Sequence, residues 1–432
     1  MLDLIVIGGG AAGFYGAIHT ARQQPGARVL ILEQNKDVLS KVRISGGGRC
    51  NLTHRPLDPR QLSSHYPRGG RELLGPFHTH ASSETMAFFE GLGVPLKIEA
   101  DGRVFPKTDR SQTVIDALRG EAGRLGIRVQ TGCRVTGIRP VQSPVNTWAV
   151  QTAGDSFEAR CLLVCTGGNT SVWSLLHNLG HRIVPPVPSL FTFRIADPRL
   201  LGLQGISAEA RLEVLPPDTG EEPLAAVNFR KAFRSGHLAA EGPALITHWG
   251  LSGPATLRLS AWGARYFAAC GYRFKVRVNW MPDYHRGALR PFLISIRDTD
   301  PKKNVWRNRA TPVPGRLWAK LAEAAGIGPE ARWAEISSAV LDRLVEQLTG
   351  SVFQVDGKST FKEEFVTAGG VSLKDIHFRS FESKKCPGLF MAGEVLDIDA
   401  LTGGFNFQNA WTGSFLAAGA IASRLRTQAS TR

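Results

Sequence analysis

The sequence predicts an α/β fold: a Rossmann-like dinucleotide-binding domain that is discontinuous along the chain, with an inserted β-plus-helical domain. Three observations carry this. Residues 4–33 hold a complete strand–turn–helix–strand unit with glycines at Gly8, Gly10 and Gly13. Residues 388–421 hold a second strand–loop–helix, rich in glycine and acids, of the kind that closes such a domain. Between them Val184-Pro185-Pro186-Val187-Pro188 reads as a linker, and the strand patterns beyond it belong to a different sheet.

Each part of the first unit has a mechanical reason. Leu4-Ile5-Val6-Ile7 and Val29-Leu30-Ile31-Leu32 are short apolar runs suited to buried strands. Gly8 allows the tight turn, Gly10 leaves room for a pyrophosphate, and Gly13 lets helix and strand pack closely. The helix Ala11–Arg22, with Ala12 in its first turn, offers N–H groups and a partial positive charge to phosphates. Glu33, twenty residues past Gly13, is placed to accept from ribose hydroxyls and would repel a 2′-phosphate. FAD or NAD remains for this site, and NADP does not.

The far end of the chain decides for FAD. A short strand, Gly388 to Met391, runs into Ala392-Gly393-Glu394, with Asp397 and Asp399 following. Then Thr402-Gly403-Gly404-Phe405-Asn406-Phe407-Gln408-Asn409 opens a helix through Ile421. A flavin needs an acid for its ribityl chain and a positive helix end near N1/O2, where the reduced ring carries its charge. Gly403-Gly404 lets backbone lie against the ring. Asn406 and Gln408 either bond its pyrimidine edge or cap the last helix, and Phe407 lies beside them.

Residues 41–51 form a basic, glycine-rich loop suited to phosphate and to close passage beside a planar ring. Its candidates are Lys41, Gly47, Gly48, Arg49 and Asn51. Arg49, flanked by glycine and without evident structural duty, is a catalytic candidate as well. Cys50 is the one thiol with a place near a flavin, either as a small packing residue or as a catalytic group.

These runs carry a family resemblance. Ser45-Gly46-Gly47-Gly48-Arg49-Cys50-Asn51, Ala392-Gly393-Glu394-Val395-Leu396-Asp397 and Thr402-Gly403-Gly404 with Asn406-Phe407-Gln408 resemble the BaiN/RdsA-type, aminoacetone-oxidase-like flavoproteins of the glutathione-reductase superfamily. The likeness is strong over residues 1–55 and 388–416, moderate over 102–106, 165–168, 247–254 and 368–371, and faint between about 195 and 345. It implies an FAD domain of glutathione-reductase type, with Thr166 and Gly167 passing close to the cofactor. The implied activities are reduction of uridine in ribosomal RNA and oxidoreduction of amines or small acids. Two positions depart from the pattern: His54 stands where Asn is common and Phe405 where Tyr is frequent, which removes a phenol beside the ring.

At 432 residues the chain is long enough for two or three domains. The expected division is 1–189 and 349–432 for the FAD domain and 190–348 for the insert. The first strand starts at Leu4, which leaves no room for a targeting segment, and no apolar run approaches the ~18 residues of a membrane span. Six cysteines without a C-x-x-C pair suggest reduced thiols and a cytoplasmic setting. No His/Cys spacing suits a metal. No second GxGxxG occurs, so NAD(P)H, as reductant, would dock transiently. His248, in Thr247-His248-Trp249-Gly250-Leu251-Ser252-Gly253-Pro254, is the general-acid candidate. Oligomeric state is not legible.

The charge is uneven. Residues 251–320 hold fourteen Lys/Arg against three acids, a local excess of +11 out of +15, interleaved with ten aromatic residues. That composition fits an RNA-binding surface, and equally a solvated basic face. The alternatives are therefore a flavin reductase acting on RNA, a flavin oxidase or reductase acting on a small molecule, and a flavoprotein whose basic insert only docks on nucleic acid or another partner.

Overall fold

The computed structural model describes residues 1–141, 147–217, 236, 238–284, 286–309, 311–359 and 366–430. The chain forms two compact units, Met1–Pro186 with Thr367–Arg432, and Val187–Val366.

The first unit is built on a sheet with a parallel centre. Across it run Arg128–Gln130, Val29–Leu32, Leu2–Ile7, Ser156–Val164 and Leu389–Met391. Leu4 pairs with Val29 on one side and Cys161 on the other, and Leu162 pairs with Leu389. A strand from the end of the chain thus completes the sheet that its start begins. Leu4–Ile7, Val29–Leu32 and Cys161–Val164 are buried throughout, which is why they read as unbroken apolar runs rather than alternating ones. The helices Ala11–Gln23 and Phe405–Ser430 cross at Gly16, where a Cβ would come within 3.2 Å of Ser414 Cβ. A small antiparallel sheet joins Thr53–His54, Arg103–Pro106 and Leu96–Ile98.

Residues 55–80, polar and proline-rich, read from sequence as a surface excursion. They fold instead into helices Pro59–Ser63 and Gly70–Phe77, and Leu62, Tyr66, Leu73 and Phe77 are buried. Asp58 caps the first helix, accepting from the amides of Arg60 and Gln61, with Pro59 at its first position. Leu62 lies on the first helix, Leu73 and Phe77 four residues apart on the second, and the polar residues between them mask the pattern in the sequence.

The second unit contains an antiparallel sheet in the order Ser351–Asp356, Arg273–Asn279, Ser207–Val214, Ala239–Ile246, Gly250–Ser252, Thr192–Arg194, Lys358–Ser359. The expected boundary at 348 falls short of the observed one. Ser351–Asp356 alternates buried and exposed and pairs with Arg273–Asn279, so the insert continues to Val366. The apolar residues of 361–366 predict a strand returning to the first domain, and except for Val366 they lie outside the described residues.

The aromatics of the basic stretch are largely core. None of the ten is exposed, and Phe267, Trp280 and Trp318 are fully buried. The sheet's outer face is mixed in charge: Arg211, Arg273, Lys275 and Arg277 share it with Glu209, Glu213, Glu241 and Asp356. Arg277 lies 3.4 Å from Glu213, and Arg211 3.7 Å from Glu241. Over residues 187–366 the sequence has twenty-four Lys/Arg against eighteen Asp/Glu, so the second unit carries +6 of the +15. The unit's residues outside 251–320 carry more acids than bases and offset a little under half of the local excess.

Candidate functional site

The three glycines of the first turn are required for different reasons. Gly8 has φ +109°, and a Cβ there would strike the Cys165 carbonyl oxygen at 2.5 Å. A Cβ on Gly13 would lie 2.0 Å from the Gly8 carbonyl oxygen. Gly10 is extended (φ −91°, ψ −166°) and has nothing within 4 Å of an ideal Cβ. The chain itself demands Gly8 and Gly13, whereas Gly10 faces open space at the N-terminus of the helix Ala11–Gln23. Gly47 and Gly48 are open in the same way, with φ +68° and +83°.

Glu33 ends its strand beside this turn. One carboxylate oxygen accepts from the Gly9 amide at 2.8 Å, and the other from the backbone and side-chain nitrogens of Asn35 at 2.9 and 2.8 Å. Lys41 forms an ion pair with Glu394, and both lie close to Gly167: its Cβ position would be 3.6 Å from Glu394 Oε2 and 3.8 Å from Lys41 Nζ. Gly393 (φ +78°) sits where the two long helices begin, its Cβ position 3.5 Å from Ala12 Cβ and 3.8 Å from Ala410 Cβ. Residues 41, 167, 393 and 394 thus gather around the start of the dinucleotide helix.

The basic loop and the flavin-closing turn meet at Asn51. With its amide oriented by its neighbours, Asn51 donates to the Thr53 carbonyl (3.0 Å) and accepts from the Gly404 amide (2.9 Å). Gly404, at φ +88°, lies so close to Thr53 that a Cβ would reach its carbonyl oxygen at 2.4 Å. Gly403 (φ +129°) is crowded by the Phe405 ring. Thr53 was not among the sequence candidates, since nothing in its spacing marks it.

The arrangement fits FAD. Open glycine positions at 10, 47 and 48 form a cradle that side chains would fill. Buried polar atoms without a partner among the described residues include Thr166 Oγ1 and both amide atoms of Asn409, in the first turns of the last helix. Bound FAD would draw on the helix Ala11–Gln23 for its pyrophosphate and on Glu33 for its ribose. Glu394 and Asp397 would be the acids for the ribityl chain, and Gly47, Gly48, Asn51, Gly403 and Gly404 would lie against the ring. Among the described residues no group of three or more His, Cys, Asp or Glu could hold a metal ion.

Several candidates need correction. Cys50 is fully buried at φ +63°, and burial pushes its thiol up to about 12. Such a group stays protonated and shielded, so it packs and does not attack. Arg49 has the structural duty that the sequence hid: its guanidinium lies 4.0 Å over the Phe105 ring and pairs with Glu99 at 2.7 Å and Asp109 at 3.5 Å. It holds the loop against the small sheet, which removes the reason for naming it catalytic. The Asn406 side chain is occupied by the backbone of Ala400, accepting from its N at 3.0 Å and donating to its O at 3.1 Å. Gln408 is fully buried between Thr53 and Thr412. Both side chains are thus engaged by the protein itself. Asp399 is fully buried against Arg68. Phe407 is half-buried and stacks on Trp411 at 5.7 Å.

His248 belongs to the second unit. It is exposed on the turn 247–250, which is fixed by the Thr247 amide donating to the Gly250 carbonyl at 2.8 Å. Trp249 beside it is exposed as well. Among the described residues no helix is long and apolar enough to cross a membrane.

A family model described as HI0933-like protein Rossmann domain matches residues 2–420. A 3-dehydro-bile acid delta(4,6)-reductase of Clostridium scindens is 28% identical over 97% of this chain and 98% of its own. A ribosomal RNA dihydrouridine synthase of Escherichia coli is 26% identical over 96% of this chain and 97% of its own. Among solved structures, a 3-ketosteroid-delta4-(5alpha)-dehydrogenase of Rhodococcus jostii RHA1 matches 96% of each chain with a TM-score of 0.48 and 13% identity.

Proposed function

Since the chain belongs to the HI0933-like Rossmann-domain family, whose members here are FAD-dependent oxidoreductases, we propose that it reduces a carbon–carbon double bond conjugated to a carbonyl. One observation carries this reading. The two relatives act on chemically unlike molecules, yet their names describe the same reaction. A delta(4,6) alkene of a 3-keto bile acid and the ring alkene of uridine are both polarised by an adjacent carbonyl. Hydride adds to the far carbon, and a proton completes the other.

Bound FAD supplies the hydride, after taking one from a soluble donor. NAD(P)H is the proposed donor, docking transiently because the chain has no second dinucleotide motif. The chain's own part is to hold and to protonate. The turn Gly8–Gly13, Glu33 and Lys41 fix the dinucleotide end, and the loop 47–51 with the turn 403–404 fixes the ring. His248, an imidazole exposed on the turn 247–250, is the proposed general acid.

A small conjugated ketone is the favoured substrate. What supports it is that five of the ten rings that suggested RNA are buried in the core and the strand cations share their face with acids, Arg277 pairing with Glu213. The second reading, a base in structured RNA, keeps one specific support: Lys302, Lys303, Arg307 and Arg309 are all exposed within eight residues. Anaerobic mixing of reduced protein with a conjugated dienone, and separately with unmodified ribosomal RNA, tests both. Loss of the alkene from the ketone is expected. Conversion of RNA alone would shift the assignment to the second reading.

A further inference from the structure

We infer that residues 65–69 form a clamp that positions the flavin-closing turn, with Tyr66 and Arg68 as its positioning residues. The inference rests on the FAD assignment and is independent of the substrate.

Four of these five residues hold the segment 398–405. The His65 carbonyl accepts from the Leu401 amide at 3.0 Å, and the His65 ring stacks on Phe405 at 4.1 Å and 22°. The Tyr66 hydroxyl donates to the Phe405 carbonyl at 2.6 Å in a buried setting. Arg68 and Asp399 pair through side chains and through an antiparallel backbone bridge, and Asp399 is fully buried. Gly69, at φ +84°, lies so near Ile398 that a Cβ would reach its side chain at 2.6 Å.

The turn Gly403-Gly404 is therefore gripped from two sides. Asn51 takes the Gly404 amide, and the clamp takes the next residue's carbonyl and ring. The two anchors come from different segments, one in the glycine loop and one in the helical segment 59–77. A turn of two glycines has little rigidity of its own. Its fixed position against a flavin ring must come from such neighbours, and any free energy that ties turn to flavin ties clamp to flavin equally. The ion pair adds resistance to loosening. Separating Arg68 from Asp399 would leave a buried charge without its counter-charge, an outcome far costlier than losing a surface pair.

Tyr66→Phe tests this with least disturbance, because it removes one hydroxyl and keeps the ring packed 5.4 Å from Phe77. Ser351→Ala is the control, losing a buried hydroxyl that donates to Gln347 at 2.6 Å in the second unit. FAD dissociation from full-length holoprotein would be measured on dilution, with the flavin absorption bands and midpoint potential recorded alongside. For Tyr66→Phe we expect FAD to bind about three- to tenfold more weakly, the range of one buried hydrogen bond, with shifted bands. Asp399→Asn should weaken it further. Ser351→Ala should leave FAD affinity, bands and potential unchanged. Tyr66→Phe protein with wild-type FAD affinity and spectrum would overturn the inference. So would an equal loss of affinity in Ser351→Ala, which would make the effect one of general stability. If Asp399→Asn fails to fold, Tyr66→Phe decides.

Discussion

The imidazole of His54 lies over the ring of Phe405, with centroids 4.8 Å apart and planes within 19° of parallel. These are the two positions where the sequence departs from the family pattern it resembles, and they touch. Phenyl in place of phenol and imidazole in place of amide thus meet at one contact, beside the turn that closes the flavin site. Gly102 makes room for the arrangement, since a Cβ there would lie 2.4 Å from His54 Cε1. Burial holds the His54 imidazole below its ordinary value of 6.5. We expect it to be neutral at pH 7, serving as a flat, uncharged partner to Phe405. An NMR titration of the histidines reads this directly, and a His54 midpoint at or above 6.5 contradicts it.

The glycines of the first turn should separate folding from cofactor binding. Gly10→Ala meets no atom of the chain and has an ordinary backbone conformation. We expect a folded protein whose FAD affinity falls by about 1–3 kcal/mol, the usual cost of overpacking. Gly13→Ala meets a backbone carbonyl at 2.0 Å and should impair folding itself. Thermal melts and flavin content of the two purified variants make the comparison. Full flavin content in Gly10→Ala would remove the pyrophosphate from that position.

Acid should weaken the first unit through two histidines. Burial lowers His19 to about 3 and His80 to about 4 from an ordinary 6.5. The unfolded chain then binds more protons between those values, so stability is complete above pH 6.5 and falls as pH drops toward 4. At pH 5 each histidine contributes a loss of roughly 2 kcal/mol. Urea midpoints at pH 7.5 and 5 measure it, and His80→Gln should flatten the dependence. A midpoint unchanged between the two pH values would show that these imidazoles are already protonated or solvated.

Much of the cofactor site was legible because its signals are local. Gly8, Gly10, Gly13 and Glu33 lie within thirty residues, and Gly393, Glu394, Gly403 and Gly404 within twelve. What stayed hidden depends on contacts between distant segments. Arg49 seemed to lack a structural duty because Glu99, Asp109 and Phe105 are fifty or more residues away. The clamp of Tyr66 and Arg68 on Phe405 and Asp399 spans more than three hundred residues and has no periodicity to announce it. The insert's end was misplaced for a similar reason, since the strand Ser351–Asp356 declares its sheet only by pairing with Arg273–Asn279. The basic stretch shows the limit of a local count. Charge counted along a window ignores the acids that neighbouring strands bring beside it, as Glu213 does for Arg277.

The second unit's charges give a further test. Lys302→Glu with Lys303→Glu reverses exposed cations outside the first unit, and FAD content should be unaffected. For a small conjugated ketone we expect kcat/KM within about twofold of wild type, as for surface changes remote from special features. An RNA substrate would respond differently, with turnover falling steeply and binding showing a log–log salt slope that shrinks with each lost phosphate contact. A tenfold loss of RNA turnover in this variant would move the assignment to RNA.

The central claim is that flavin hydride passes to a carbon–carbon double bond conjugated to a carbonyl. The most direct measurement is a single turnover without oxygen: the holoprotein is reduced to bleached flavin and mixed with a 3-keto-4,6-diene steroid, while the 450 nm region and the product mass are followed (both standard readouts of flavin reoxidation). We expect the yellow colour to return with the dienone and one product molecule carrying two added hydrogens for each flavin. Reduced flavin that ignores both the dienone and unmodified ribosomal RNA, yet reoxidises in air while a bound amine yields hydrogen peroxide, would contradict the claim and identify an oxidase.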